Sequence, residues 1–527
     1  MPNSDSQYVL AIDLGTSGPK VALARFTGEI MDAAVGYTPV ILLPGNGAEQ
    51  DPDGWWEAIR ATTHELLERQ PALRNRITAV CCTTQWSGTI PVDREGNALA
   101  NAIIWMDARG AKHLPGVVGG PPNISGYRLD KLWKWIRLTG GAPSHSGKDS
   151  IAHILYLREE HPDLYEASYK FLEPKDYLNL RLTGRFAASY DSITLHWVTD
   201  NRDINRISYS DQLLNLARIE RSKLPELKRA VDILGPILPE VATELGIPQD
   251  VQVIMGTPDL HSAAIGSGAI QDYEAHLYIG TSSWLSCHVP YKKTDIQHNL
   301  ASLPSAVPGR YFIVNEQEIA GASLRYLKEN ILYHKDELEC ETVRDDIYQV
   351  FDQVVAQTPA GSKGLIFTPW LNGERTPVDD HLTRGGFYNM SLHHTRPDLI
   401  RAVFEGVAYN SRWLLHYVEK FIGRQFPAIN MIGGGANSDI WCQIHADVLN
   451  RPIRQVMDPI QANTRGTAIL AGVALGTTTF EEAARHVQIK QEFMPDPAHR
   501  ARYDELFEMF LAIYKQNKKI FARLNKE

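Results

Sequence analysis

The chain has no run of lysines and arginines, no Cys-x-x-Cys pair and no apolar stretch long enough to cross a bilayer. Lys plus Arg total 53 against 62 for Asp plus Glu, a net charge of −9. That balance argues against nucleic acid as the main partner. The five cysteines, Cys81, Cys82, Cys287, Cys340 and Cys442, are odd in number and have no framework spacing. They are expected to be reduced core thiols in a reducing compartment rather than staples or metal ligands. Residues 1–7 are polar and lack the basic-then-apolar order of a secretory signal. A cytoplasmic protein without a membrane partner is therefore expected. What remains is ordinary globular composition, 43% hydrophobic and 22% charged. At 527 residues, one core no longer suffices and two large domains are expected.

One stretch near the start stands out. Tyr8 to Leu14 is a short apolar run that predicts a buried strand, and Gly15 and Gly18 mark a tight turn before the return strand at Val21. The tip carries Asp13, Thr16, Ser17 and Lys20 beside glycine backbone that a phosphate can approach closely. An ordinary hairpin fits the same residues. The pattern then recurs: Ala275 to Ile279 predicts a strand, Gly280-Thr281-Ser282 a turn, and Trp284 to Cys287 a return strand. Two copies of one unit point to a duplicated α/β architecture with facing phosphate loops.

Other strand ends carry chemistry. Ile77 to Cys82 runs into Gln85-Trp86-Ser87-Gly88, and Val251 to Met255 runs into Gly256-Thr257-Pro258-Asp259. Ile429 to Ile432 leads into Gly433-Gly434-Gly435-Ala436-Asn437-Ser438, with Ser438 the expected N-cap of the next helix. Strand C-termini are where ligands bind in open α/β sheets. Asp259 reads either as an N-cap or as a carboxylate that accepts a proton from an attacking hydroxyl. Trp86 reads either as a core aromatic or as a pocket wall. Residues 110–230 predict a helix-rich region with little strand periodicity. Arg500 to Leu524 predicts a packed terminal helix.

Taken in order, Asp13 to Lys20, Glu49 to Trp56, Trp105 to Arg109, Pro174 to Leu178, Gly280 to Ser282, Gly373 to Pro377 and Gly433 to Trp441 resemble the motifs of the FGGY carbohydrate kinases, most of all those of the xylulokinases. The resemblance runs from Tyr8 to about Gly476. It implies two actin-like (ribonuclease-H-like) α/β domains with a cleft between them, divided here as 1–272 for sugar and 273–527 for ATP. It implies ATP and Mg²⁺ as cofactors, with Asp13 near the metal and Gly15, Thr16, Ser17 and Lys20 at the terminal phosphates. Gly280 and Thr281 match the second phosphate loop, and Gly434, Gly435, Ala436 and Asn437 the adenosine turn. Asp259 matches the catalytic base. Gln85, Trp86, Ser87, Asp107, Arg109 and Leu260 fall on the side of a small-molecule sugar or polyol such as D-xylulose. Homodimers are common in the family.

The departures cluster on the sugar side. Xylulokinases usually have Gln-Met-His-Gly where this chain has Gln85-Trp86-Ser87-Gly88, and Asn where it has Leu260. A family lysine is replaced around His153, and a glycine by Asn389. Losing hydroxyl partners should change acceptor preference. Two other readings stay open: an actin-like ATPase without sugar transfer, which would lack the sugar-side loops, and a sugar-responsive regulator, although neither end reads as a DNA-binding module.

Overall fold

The computed structural model describes residues 7–333 and 344–526. Cys340 and residues 1–6 lie outside them. In the first half, β1 (Tyr8–Gly15), β2 (Gly18–Ala24) and β3 (Ile30–Val35) form an antiparallel meander. It is followed by α1 (Pro52–Arg69), capped by the Asp51 carboxylate with Pro52 in the first turn. Then come β4 (Ile77–Thr84), β5 (Ile233–Pro236), β6 (Gln252–Pro258) and α2 (Asp259–Gly266). The sheet order is β5-β6-β4-β1-β2-β3, with β4 parallel to both β1 and β6.

The second half continues with β7 (Ala275–Ile279), β8 (Ser283–Val289), β9 (Thr294–Asp295), β10 (Leu300–Pro304) and β11 (Tyr311–Val314). Next are α3 (Arg396–Ile422), β12 (Ile429–Ile432), α4 (Asp439–Leu449), β13 (Ile453–Val456), α5 (Ala462–Ala474), β14 (Ile489–Phe493) and α6 (Pro497–Leu524). The order is β9-β10-β11-β8-β7-β12-β13-β14, with β7 parallel to β12 and β12 parallel to β13. The arrangement β3-β2-β1-β4-β6 is thus repeated as β11-β8-β7-β12-β13. This is the duplicated, two-domain α/β fold.

The two halves exchange helices. One face of the first sheet packs Leu10, Ile12 and Leu14 on Trp55, Trp56 and Ile59 of α1. The other face, with Val9, Ala24 and Cys81, packs on Ala468, Ile469 and Leu470 of α5, a helix of the second half. In return, Leu260, Ala263 and Ala264 of α2 pack on Trp284, Phe312, Ile432 and Val456 of the second sheet. Helices α2 and α5 cross with their backbones touching. A Cβ on Gly466 would fall 1.9 Å from the Ser262 carbonyl oxygen, and one on Gly266 would fall 1.8 Å from that of Ala462. Only glycine permits this approach.

The region 110–230 is helix-rich, as expected. Its helices alternate with two- and three-residue strand pairs, too short to leave a period of two in the sequence. Cys81, Cys82, Cys287 and Cys442 are buried free thiols, as expected. The terminal helix is packed as expected, burying Tyr503, Leu506, Phe510 and Tyr514. Among the described residues, no helix is long and apolar enough to cross a membrane.

Candidate active site

The C-terminal ends of β1, β4 and β6 bring three stretches together. Asp13 is buried on the face of β1 that meets the start of α5. Burial raises its carboxyl, while Lys20 and a hydrogen bond with Asn463 oppose the rise. Lys20 lies 3.9 Å from Asp13 and donates to the Ile460 carbonyl at 2.7 Å. It thus ties the hairpin to the second half. Gly15 faces Gly18 across the turn, and Ser17 is exposed at the tip.

Asp259 is not the N-cap of α2; Pro258 holds that position and Asp259 is the first helical residue. Its carboxylate turns back to accept the Leu260 N–H at 2.8 Å. Burial first, then the Asp13 carboxylate, push the Asp259 carboxyl up to about 8, and Glu316 adds to the effect. Tyr278, at the end of β7, is raised by burial and by both of these aspartates, so the two sheets meet at this point. Its ring stacks on Trp284 with centroids 3.9 Å apart.

From the second half come two glycine turns. Gly280 and Thr281 follow β7, their carbonyls taken by Gly321 and Ala320, and the Thr281 side chain is exposed. The residues Gly434–Asn437 form a single 3-10 turn after β12. Ala436 is buried, Gly435 packs on Ile279, and Gly434 and Asn437 face open space. Ser438 caps α4 as expected, accepting the Trp441 N–H. Exposed N–H groups at a helix N-terminus suit a polar or anionic ligand.

The acceptor-side residues divide. Gln85 joins the hairpin: Thr16 Oγ1 donates to Gln85 Oε1 at 3.0 Å, Gln85 donates to Gln50 at 2.7 Å, and Gln50 donates to the Thr16 carbonyl at 2.9 Å. Trp105 Nε1 donates to the same Thr16 hydroxyl at 2.9 Å. Trp86 is half-buried, donating to the Ser192 carbonyl and meeting the His261 ring edge-on at 5.6 Å. Ser87 adopts φ +63° and spends its hydroxyl on the Lys148 carbonyl. Asp107 and Arg109 are bound to each other, and Arg109 also holds Glu49 at 2.6 Å and stacks on Tyr156. Leu260 is buried in the α2 core.

Two departures have local explanations. His153 is buried against Thr89 and the Asp107 carbonyl, and desolvation pushes its imidazole down to about 4, so it stands neutral in the core. Asn389 takes φ +65°, the left-handed conformation that Asn tolerates best after Gly, and donates to the Gly364 carbonyl.

Sequence reasoning left out Gln50, Lys148, Glu316, Glu318 and Asn463. Glu316 and Glu318 follow β11, so a pair of carboxylates just past a strand end was a usable signal. Nothing local marks Asn463 or Lys148.

Known proteins match this arrangement. The N-terminal domain model of the FGGY family of carbohydrate kinases matches residues 8–266, and its C-terminal domain model matches 275–475. A xylulose kinase of Staphylococcus epidermidis is 29% identical, over 98% of each chain. Among solved structures, a gluconate kinase of Lactobacillus acidophilus superposes with TM-score 0.83 at 25% identity, covering 98% of this chain and 99% of its own. A ligand-bound xylulose kinase of the same organism gives TM-score 0.83 at 24% identity, covering 98% and 100%. Matched over both halves, the chain belongs to the FGGY family of carbohydrate kinases, enzymes that phosphorylate a sugar with ATP.

Proposed function

We propose that the chain transfers the γ-phosphoryl group of ATP to a hydroxyl of a neutral ketose such as D-xylulose, with Asp259 as general base. The observation that carries this reading is the meeting of Asp259, at the start of α2, with Asp13 of β1 and Tyr278 of β7, the strands that lead into the two Gly-Thr-Ser turns. A loose phosphoryl-transfer transition state asks mainly for positioning and charge stabilisation. Asp259 is placed to orient a hydroxyl in line and accept its proton. The open Gly434 and Asn437 suit the nucleoside, and the exposed Ser17 and Thr281 hydroxyls suit the phosphates. The reading assigns 1–272 mainly to the acceptor and 273–527 mainly to ATP, each half lending one helix to the other.

The donor set fits Mg²⁺. Asp13 and Asp259 are crowded carboxylates, each raised by burial, and among the described residues no group of three His, Cys, Asp or Glu could hold a metal ion. Mg²⁺ characteristically keeps several waters and takes one or two carboxylates with substrate phosphates. Asp13 would hold it, and bound there it would offset charge on the phosphate oxygens.

A neutral acceptor is favoured over an aldonate by charge. The cations on the acceptor side are already paired, Lys148 with Glu318, Arg375 with Glu316 and Glu318, and Arg109 with Glu49 and Asp107. No unpaired cation there awaits a sugar carboxylate among the described residues. Coupled ADP release across D-xylulose, D-ribulose, glycerol, erythritol and D-gluconate tests the reading. Turnover is expected with a ketose and not with gluconate. ATP hydrolysis indifferent to every acceptor would overturn it in favour of an actin-like ATPase.

A further inference from the structure

Arg375 stands in the stretch Gly373-Glu374-Arg375-Thr376-Pro377, and no part of the reaction described so far uses it. Its guanidinium pairs with both Glu316 and Glu318 and lies over the indole of Trp105, 5.5 Å from the ring centroid. Lys148 reaches the same Glu318 at 3.4 Å. Trp105 and Lys148 belong to the first half of the chain; Glu316, Glu318 and Arg375 belong to the second. The cluster therefore spans the two halves.

Three relations give it a direction. Glu316 and Glu318 flank Gln317, whose backbone pairs with Ser283 just past the second Gly-Thr-Ser turn, at 2.7 and 3.2 Å. Trp105 is the residue that donates to Thr16 at the tip of the β1–β2 hairpin. Arg375 is itself held by its backbone: its N–H and that of Glu318 both donate to the Glu374 carboxylate, at 2.9 and 3.0 Å, and Asn410 donates to the other oxygen at 2.6 Å. A flat guanidinium can meet two carboxylates and an aromatic face at once, which an ammonium cannot do.

Resting on the kinase reading above, we propose that Arg375 is a positioning residue for phosphoryl transfer. It holds the Trp105 indole against Thr16 and pins Glu316 and Glu318 in place, so that the acceptor wall and the phosphate loops keep one geometry. It touches neither substrate. Without it, the half-buried Glu316 carboxylate loses its guanidinium partner, and the indole loses its cover.

The test compares wild type, Arg375→Met, Arg375→Lys and the double variant Arg375→Met/Glu316→Gln. It reads kcat and KM for the best acceptor, the Kd of a non-hydrolysable ATP analogue, and the melting midpoint. The expectation for Arg375→Met is a hundredfold or larger loss in kcat/KM for the acceptor, with analogue Kd within threefold of wild type. Adding Glu316→Gln should recover at least tenfold, because it removes the charge that Arg375 offset. Arg375→Lys, which keeps the charge and loses the flat cover, should raise acceptor KM about tenfold with a smaller change in kcat, and this variant decides if Arg375→Met does not fold. Acceptor kinetics within threefold of wild type in Arg375→Met would overturn the proposal. So would a loss shared equally by the analogue's Kd, or no recovery in the double variant. A wild type that phosphorylates no acceptor in the panel would instead overturn the kinase reading.

Discussion

Thr16 donates its hydroxyl hydrogen to Gln85 at 3.0 Å while accepting one from Trp105 at 2.9 Å. A residue expected at the phosphates therefore has its side chain committed to the acceptor-side loops. Thr16→Val keeps the shape, removes both bonds and orphans a buried amide (Gln85) and a half-buried indole N–H (Trp105). The expected result is a rise of about tenfold in acceptor KM, from a loss of about 1–3 kcal/mol in local order, with ATP affinity within threefold. Steady-state kinetics with each substrate varied separately read the difference. A rise confined to ATP KM would return Thr16 to the phosphates.

Asp259→Asn keeps the size and the Leu260 hydrogen bond but cannot take a proton. Acceptor-dependent turnover should fall by about 10²–10⁴-fold, the range that general acid–base catalysis spans. Affinity for a non-hydrolysable ATP analogue should hold. Wild-type turnover in purified Asp259→Asn would remove Asp259 from the chemistry.

Glu173 provides a pH signature away from the cleft. It is fully buried beneath Gln85–Gly88, accepting from Gly88 N–H at 2.9 Å and paired with Ser150. Burial pushes its carboxyl up to about 8, and its neighbour His196, 3.7 Å away, is held neutral by the same cause. Below pH 4.5, the ordinary value, folded and unfolded chains are both protonated and the contribution is fully present. Above it the unfolded chain sheds the proton first, so stability is lost as pH rises through the folded value, at up to about 1.4 kcal/mol per pH unit. Glu173→Gln removes that slope while its amide can still serve Gly88 and Ser150. Melting midpoints at pH 6 and pH 8 should fall further for wild type than for Glu173→Gln. Equal falls would mean that the carboxylate is charged in the native state.

Gly466→Ala should destabilise the whole molecule. The added Cβ would lie 1.9 Å from the Ser262 carbonyl oxygen, so α2 and α5 must part. Overpacking of this kind costs about 1–3 kcal/mol. Because α2 carries Asp259 at its first residue, acceptor turnover should fall along with the melting midpoint. A stable, fully active Gly466→Ala would show that the helices can slide apart freely.

Much of the frame was readable before folding because its signals are local. A strand followed by Gly-Thr-Ser announces itself at Tyr8–Ser17 and again at Ala275–Ser282, and Ser438 ahead of α4 is a capping pattern complete within four residues. Asp259 shows the limit of such reading, since only the backbone could tell that Pro258 takes the cap. Arg375 with Glu316, Lys148 with Glu318, and Trp105 with Thr16 were out of reach. Each pair is distant along the chain, and its partners are chosen by the packing of two sheets rather than by spacing. Arg109 looked like a ligand residue for the opposite reason: its charge is visible in sequence, while Asp107, Glu49 and Tyr156, which occupy it, become neighbours only in the fold.

The exchange of α2 and α5 has a consequence for synthesis of the chain. Domains of most proteins fold as they emerge, the N-terminal one first. Here the face of the first sheet formed by Val9, Ala24 and Cys81 is covered by Ala468, Ile469 and Leu470, which leave the ribosome long after the strands they protect. The nascent first half must wait with that face only partly covered, by Ala230, Ile265 and Ile270. A nascent chain stalled before α5 should therefore recruit holdase chaperones along β1, β2 and β4, and release them once residue 474 has cleared the exit tunnel.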